Sequence, residues 1–152
     1  MSGFNIIQLN VEKINKDDYI NCMSTIDDSL IGSHTDYVDD DVNDDERLKS
    51  VKYSVAPFAT ANRARRTLTF KKRETVIAYY LNVIESAFEQ HRKDIRDGLG
   101  YPYWRLRMLI DGVNDDIVWY GCGQRMLDVI ADYINGDIPR VMHIGAIMRG
   151  HF

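Results

Sequence analysis

The chain has 152 residues and a formal net charge of −4, and 45% of its residues are hydrophobic. This length predicts a single domain over residues 1–152, with a core large enough to need no metal ion or disulfide. The negative charge disfavours nucleic acid as a partner and argues against an anionic membrane surface.

The two cysteines, Cys22 and Cys122, are fewer than a disulfide-stabilised secreted domain usually has. They indicate a reducing compartment, namely the cytoplasm, or the host cytoplasm or the virion for a viral protein. A bridge between them stays open, because spacing alone does not test it. Residues 1–11 lack the basic start and the apolar run of a signal peptide. No apolar run approaches the roughly 18 residues of a membrane span.

The N-terminal part predicts a strand followed by a helix. Ile7, Leu9 and Val11 alternate with polar residues, which is typical of a strand over about 4–11. Asn15 is a suitable N-cap for a helix over about 16–30, which Gly32 would end.

Residues 33–47 are expected to form a loop, because many acidic side chains lie close together there and repel one another. The acids are Asp36, Asp39, Asp40, Asp41, Asp44, Asp45 and Glu46. An EF-hand that begins at Asp39 fails, because Asp44 replaces the required glycine and Ser50 the required glutamate. We therefore predict no EF-hand metal site, while cation binding by these acids stays open, and the segment is either a solvated loop or an acidic patch that faces a partner.

Two further strands are expected to pair as a hairpin. Val51, Tyr53 and Val55 alternate with polar residues, which predicts a strand over about 51–56 that Pro57 ends. A polar turn through residues 60–62 follows, and then a strand over about 67–71.

The strongest helical pattern covers about 72–97, where apolar residues recur every three or four positions. The apolar stripe is wide, so this helix is expected to face more than one partner. Gly98 is placed to end it.

Three more helices are predicted, over about 102–111, 116–135 and 138–149. The whole is an α+β fold dominated by helices, in which four to five helices pack on a small sheet.

A basic segment follows the acidic one. Its six cations are Arg63, Arg65, Arg66, Lys71, Lys72 and Arg73. These charges are either simply solvated, or they contact the acidic segment in the same molecule or in a neighbour, or they contact phosphates. The separation of acidic from basic residues suits head-to-tail association of identical subunits.

Aromatic residues around the 102–111 helix suit either an interface or the core. Tyr101, Tyr103 and Trp104 lie beside Arg105 and Arg107, and Tyr, Trp and Arg are the residue types that anchor interfaces. We name these three aromatic residues as interface candidates.

No catalytic set or cofactor is predicted. Cys122 lies between two glycines, and either His143 or His34 is a conceivable base for it. No cation or helix N-terminus that would activate the thiol is evident in the sequence. A buried small residue where helices approach closely is therefore the better interpretation of Cys122. None of the four histidines has the spacing of a zinc site.

We therefore expect a non-enzymatic structural or interaction subunit that self-associates, for example a phage head-to-tail or tail protein. One alternative is a phage-type inhibitor whose acidic segment mimics DNA and binds a nucleic-acid enzyme. A second alternative is a small hydrolase that uses Cys122 with His143. The sequence favours the first, because it contains segregated charge and no matched catalytic motif.

Overall fold

The computed structural model describes residues 3–21, 37–39, 44–99 and 103–151. Within these ranges the helices are α1 (Asp44–Val55), α2 (Arg73–Arg96), α3 (Tyr103–Asp111) and α4 (Met126–Ile134). The strands are β1 (Gly3–Asn10), β2 (Tyr37–Asp39), β3 (Ala59–Asn62), β4 (Thr67–Phe70), β5 (Ile117–Trp119), β6 (Gly123–Arg125) and β7 (Val141–His151). The predicted α+β class, a sheet packed by helices, is confirmed.

One mixed sheet contains all the described strands, in the order β3-β4-β7-β1-β5-β6. β1 and β5 are parallel, and the other neighbours are antiparallel. The long strand β7 lies next to β1 along one edge. Its other edge pairs with β4 near its start and with β2 near its end.

The two faces of the sheet bury separate clusters. Ile6 and Ile7 are consecutive in β1 and therefore point to opposite faces. Ile7 belongs to the larger cluster, which includes residues of α1, α2 and α4. Ile6 belongs to a smaller cluster with Phe4, Trp119 and Met148. The face that packs against the helices thus holds most of the described core.

Four predicted elements are confirmed, with end points that shift by a few residues. The strand over 4–11 is β1 and the strand over 67–71 is β4. The helix over 72–97 is α2 and the helix over 102–111 is α3. None of the helices in the described ranges combines the length and the apolar content needed to cross a membrane.

The strand predicted over about 51–56 is wrong, because these residues form the second half of α1. The alternation of Val51 and Val55 with polar residues fits a strand, but their spacing of four also fits a helix. Leu48 precedes them by three, and all three side chains are buried on one face of α1. Acids in the first turn of α1 suit the helix dipole, so part of the expected 33–47 loop is helical instead. Tyr37–Asp39, in the same expected loop, forms β2.

The hairpin partner of β4 is therefore β3, in the stretch predicted as a turn. Ala59 pairs with Phe70, and Asn62 pairs with Thr67. The polar composition of β3 suits the edge of a sheet, where one side of the strand is unpaired.

The helix predicted over about 138–149 is wrong, because these residues form most of β7. Val141, Ile144 and Ile147 have a spacing of three that resembles one face of a helix. β7 is paired on both edges, and most of its residues on both faces are buried. A strand buried on both faces loses the alternation by which a strand is recognised.

Two glycines allow β1 and β7 to pack closely. A Cβ atom on Gly150 would overlap the ring of Phe4, and one on Gly145 would overlap the side chain of Gln8. The Gln8 Oε1 atom accepts a hydrogen bond of 3.0 Å from the backbone N–H of Ala146. A side chain at position 150 would therefore displace the Phe4 ring, and one at position 145 would displace the end of the Gln8 side chain.

The helix predicted over about 116–135 is correct only in its second half, which is α4. Its first half is the β5–β6 hairpin, which turns at Gly121 with a φ of +77°. In the helix predicted over about 16–30, Lys16–Asp18 forms a single 3-10 turn and the next three residues are not helical. Residues 22–30 lie outside the described ranges.

Candidate functional site

The acidic and basic segments contact each other within one molecule. Arg63 pairs with Asp45 at 2.7 Å, and Arg66 pairs with Asp44 at 2.6 Å. These pairs join the start of α1 to the β3–β4 turn. Exposed pairs of this kind contribute about 0–1 kcal/mol each. Glu46 lies in the same exposed turn of α1.

Some of the predicted residues lie elsewhere. Asp39 is in β2 opposite Arg149 of β7. Asp36, Asp40, Asp41 and Tyr101 lie outside the described residues.

Arg66 is held by several contacts besides its ion pair. Its guanidinium donates a 2.5 Å hydrogen bond to the carbonyl of Gly145 and lies 5.6 Å from the ring centre of Tyr19. Its own carbonyl accepts a hydrogen bond from the N–H of Ile144, and its φ is +48°. Arg66 therefore fixes the β3–β4 turn against β7.

The other cations are divided between the two ends of β4. Arg65 is exposed on the β3–β4 turn, and Lys71 and Lys72 follow the strand. The Nε atom of Arg73 donates a 2.9 Å hydrogen bond to the carbonyl of Ile134, at the end of α4. The six cations therefore have different surroundings.

The outer face of α2 carries apolar side chains that the described part of the chain leaves uncovered. Leu81, Phe88 and Ile95 are 49%, 51% and 53% exposed and are spaced by seven residues. Ile77 and Ile84 lie on the same face of the helix and are half-buried. We call these five residues the outer stripe of α2. The face that packs into the fold is a different one, and its buried residues are Val76, Val83, Ala87 and Asp94.

The outer stripe was not predicted as a surface, although the apolar stripe of this helix is wide in the sequence. The missed signal is the spacing. Positions 77, 81, 84, 88 and 95 follow alternating steps of four and three, with His91 at the remaining position. This is the heptad pattern of a helix that packs along one partner helix.

The outer stripe borders a groove between α2 and α4. The groove has a volume of about 300 Å³, and its mostly apolar walls include Ile77 and Leu81 of α2 and Ala131 and Ile134 of α4. Its shape and composition suit an apolar side chain.

α3 also exposes large side chains. Tyr103, Trp104 and Met108 are 79%, 56% and 52% exposed. Tyr103 and Trp104 were interface candidates from the sequence, and an exposed tryptophan is a frequent interface anchor.

A polar cleft of about 900 Å³ opens between α1, the start of β1 and the segment before β5. We call it the α1–β1 cleft. Its polar lining includes Asn5, Arg47, Ser54, Asn114, Asp116 and Arg149.

Asp116 organises the floor of this cleft. The backbone N–H of Asn5 donates to its Oδ1 atom at 2.9 Å, and the hydroxyl of Ser54 donates to its Oδ2 atom at 2.5 Å. The side-chain amide of Asn5 also donates to Asp116 at 3.2 Å. The N–H of Asp116 donates to Asn114. A buried carboxylate with this many donors is satisfied without a cation.

Two arginines flank this floor with incomplete hydrogen bonding. The Nε atoms of Arg47 and Arg149 are buried and have no hydrogen-bond partner in the described part of the chain. Arg47 makes only a long contact of 3.4 Å, from Nη1 to the Oδ1 atom of Asn5. A buried donor without an acceptor costs about 1–3 kcal/mol, and more when it is charged. Arg47 and Arg149 both line this cleft, whereas Arg66, whose Nε atom is also buried without a partner in the described part of the chain, lines a different one.

Asp115 also lines the cleft. Burial raises the pKa of its carboxyl group, Arg125 lowers it, and Asp116 and Asp111 raise it further. This carboxyl group is therefore protonated at a higher pH than an ordinary aspartate.

Cys122 and His143 do not lie in one site. Cys122 is exposed on the β5–β6 turn, where its sulfur is 3.9 Å from the amide nitrogen of Gln124. His143 is in β7 and lines a separate cleft with Arg65 and Arg66. Cys122 and His143 therefore do not form a hydrogen-bonded pair.

Comparison with protein-family models, with curated proteins and with solved structures found no match to this chain. The geometry of its surfaces is therefore the basis for a functional proposal.

Proposed function

We propose that the protein is a non-enzymatic interaction subunit that self-associates through the outer stripe of α2. The exposure of Leu81, Phe88 and Ile95 at heptad spacing supports this proposal most directly. Exposed apolar residues gathered on one face mark interaction sites, whereas isolated ones are normal on protein surfaces. α2 is 24 residues long, or about 36 Å, which is long enough for several layers of interhelical contacts.

The occupant that fits this face is the same helix of a second copy in the antiparallel direction. With Ile84 of one copy opposite Phe88 of the other, Leu81 meets His91 and Ile77 meets Ile95. Every stripe position then has a partner, and two-fold symmetry repeats each contact. A parallel arrangement would instead place His91 against His91.

The antiparallel arrangement also brings Ile95 of the second copy close to Ile77, at the edge of the apolar groove between α2 and α4.

The charged segments are not the contacts in this proposal, because Asp44 and Asp45 already pair with Arg66 and Arg63. The same pairing takes two acids away from a DNA-mimicking surface. We place the subunit in the cytoplasm, since the exposed Cys122 is a free thiol. That it belongs to a phage particle stays a prediction of the sequence.

The first test is Phe88→Glu, measured as mass by light scattering over a dilution series. Full burial of a phenylalanine contributes about 1.5–3 kcal/mol, and the symmetric interface contains this contact twice. We therefore expect the dissociation constant of the dimer to rise at least about 100-fold. The matched control is Ser86→Glu, which adds the same charge on an exposed face of α2 outside the stripe and should leave the dimer intact. A monomeric wild type, or an unchanged dimer with Phe88→Glu, would contradict the proposal.

Spin labels test the direction of the helices. With Cys22 and Cys122 replaced by serine, labels are placed at residue 89 or at residue 96. In the antiparallel dimer the two copies of residue 89 are offset by about 9 Å along the helix axis, and those of residue 96 by about 30 Å. A parallel dimer would give similar distances at both positions.

A further inference from the structure

We propose that the α1–β1 cleft binds a phosphate group between Arg47 and Arg149. This site is separate from the outer stripe of α2 and does not depend on self-association.

The first argument is the unmet hydrogen bonding of the two guanidinium groups. In both residues the Nε–H group is buried and lacks an acceptor among the described residues. Neither arginine takes part in an ion pair there, unlike Arg63 and Arg66. An acceptor that enters the cleft would complete both groups.

Asp116, the carboxylate on the floor of the cleft, does not pair with Arg47, whereas Arg149 has Asp39 of β2 as a cross-strand neighbour. Asp116 already receives hydrogen bonds from Asn5 and Ser54. The amide of Asn5 donates to Asp116 and therefore presents its Oδ1 atom to Arg47. The Asn5 side chain thus separates the negative charge of Asp116 from the positive charge of Arg47.

Both arginines line the same cleft and lie beside the start of β1. Asn5 contacts Arg47 through its side chain and is the cross-strand partner of Arg149 in the β1–β7 pairing. Arg149 lies across Gly3, where a Cβ atom would be only 2.7 Å from its Nε atom. A side chain at position 3 would therefore displace the guanidinium from the cleft.

The chemistry of the ligand follows from these two groups. The Nε–H and Nη–H groups of an arginine form a planar fork that matches two oxygens of a carboxylate or a phosphate. Two arginines supply two positive charges, which suit the charge of a phosphate better than that of a single carboxylate. The cleft volume of about 900 Å³ exceeds one phosphate, and the ring of Tyr53 at its wall is 86% exposed. There is room for a group attached to the phosphate.

The experiment titrates the full-length protein with inorganic phosphate, with chloride at equal ionic strength as the control. Arginine Nε–H signals in 1H–15N spectra report directly on the atoms of the proposal. We expect two of these signals to shift in a saturable manner with phosphate and not with chloride. Saturation without a shift of any arginine Nε–H signal, or no saturable change, would overturn the proposal.

Variants assign the site. We expect Arg47→Met and Arg149→Met each to weaken phosphate binding at least about tenfold, whereas Arg65→Met on the β3–β4 turn should leave it unchanged. If Arg149→Met does not fold, Arg149→Lys keeps the charge and removes the fork, and it should still weaken binding. Wild-type affinity in the variants at positions 47 and 149 would show that phosphate binds elsewhere.

Two further probes identify the source of the phosphate group and exclude a carboxylate. The affinity for adenosine monophosphate is compared with that for inorganic phosphate. If adenosine monophosphate binds more tightly, and Tyr53→Ala abolishes the difference, the ligand is a phosphate ester with a planar group. Equal affinities indicate that the phosphate alone is the ligand. Acetate that binds as tightly as phosphate would overturn the assignment of a phosphate group.

Discussion

At the scale of single residues, Asp116 shows how much one buried side chain holds in place. Its carboxylate joins β1 through Asn5, α1 through Ser54 and the segment before β5 through Asn114. We expect Asp116→Asn, which keeps the shape and loses one acceptor oxygen, to lower the free energy of unfolding by about 2 kcal/mol or more. Denaturation in urea measures this loss.

The neighbouring carboxyl group is the matched control. Burial raises the pKa of Asp115 above its ordinary value of 3.8. The folded protein therefore holds this proton more tightly than the unfolded chain, and stability falls as the pH rises through this range. Asp115→Asn should then be slightly stabilising at pH 7 and neutral below pH 3.8. A loss at pH 7 as large as that of Asp116→Asn would show that the network at Asp116 is not specific.

The sequence predicted the chemistry of single residues poorly. Asp116 was not among the predicted site residues, and its role depends on Asn5, which is 111 residues away in the chain. Local spacing does not reveal such a pair. Arg63 and Asp45 were recognised as complementary because runs of charge are visible without the fold.

At the scale of elements, the packing of β1 against β7 allows no extra atoms at Gly150. A methyl group there would overlap the ring of Phe4. We expect Gly150→Ala to destabilise the fold by about 1–3 kcal/mol, as overpacking does in well-packed cores. The midpoint of urea denaturation measures this change.

A second substitution tests whether the Phe4 ring is the cause. Phe4→Leu removes the ring. The loss of stability in the double variant of Phe4→Leu and Gly150→Ala should therefore be smaller than the sum of the losses in the two single variants. Strictly additive losses would mean that Gly150 is required for another reason.

Helices and strands that bury one face were predictable from the sequence. A strand buried on both faces and a short helix with chance alternation were not. The helices α2 and α3 have a clear 3.6-residue period, and β1 has a partly alternating pattern. β7 is buried on both faces and lost its alternation, whereas the second half of α1 alternated by chance. The exposed part of the α2 stripe was not predicted as a surface, because periodicity does not distinguish a covered apolar face from an uncovered one.

At the scale of the whole molecule, salt separates two kinds of assembly. Charges exposed to solvent are screened within about 3 Å at 1 M salt, whereas apolar contacts are not weakened by screening. If α2 pairs with a second copy, we expect the mass in solution to stay dimeric from about 0.05 M to about 1 M sodium chloride.

The opposite outcome has a clear meaning. Dissociation at high salt would point to charged contacts such as Arg65, Lys71 and Lys72 in place of the outer stripe. Reversing these three charges would then be the next experiment, and Phe88→Glu should have no effect.

The central position of β7 affects when the protein folds during synthesis. β7 pairs with β1 along one edge and with β2 and β4 along the other. Its residues nevertheless follow those three strands in the chain by about 70 to 140 positions. At about 5–20 residues per second, the ribosome makes residues 11–151 in roughly 7–28 s. For that time β1 has no strand β7 to pair with, and the apolar side chains of Ile6, Ile7 and Leu9 are not yet buried against it. This stretch of the nascent chain is therefore the one most in need of a chaperone.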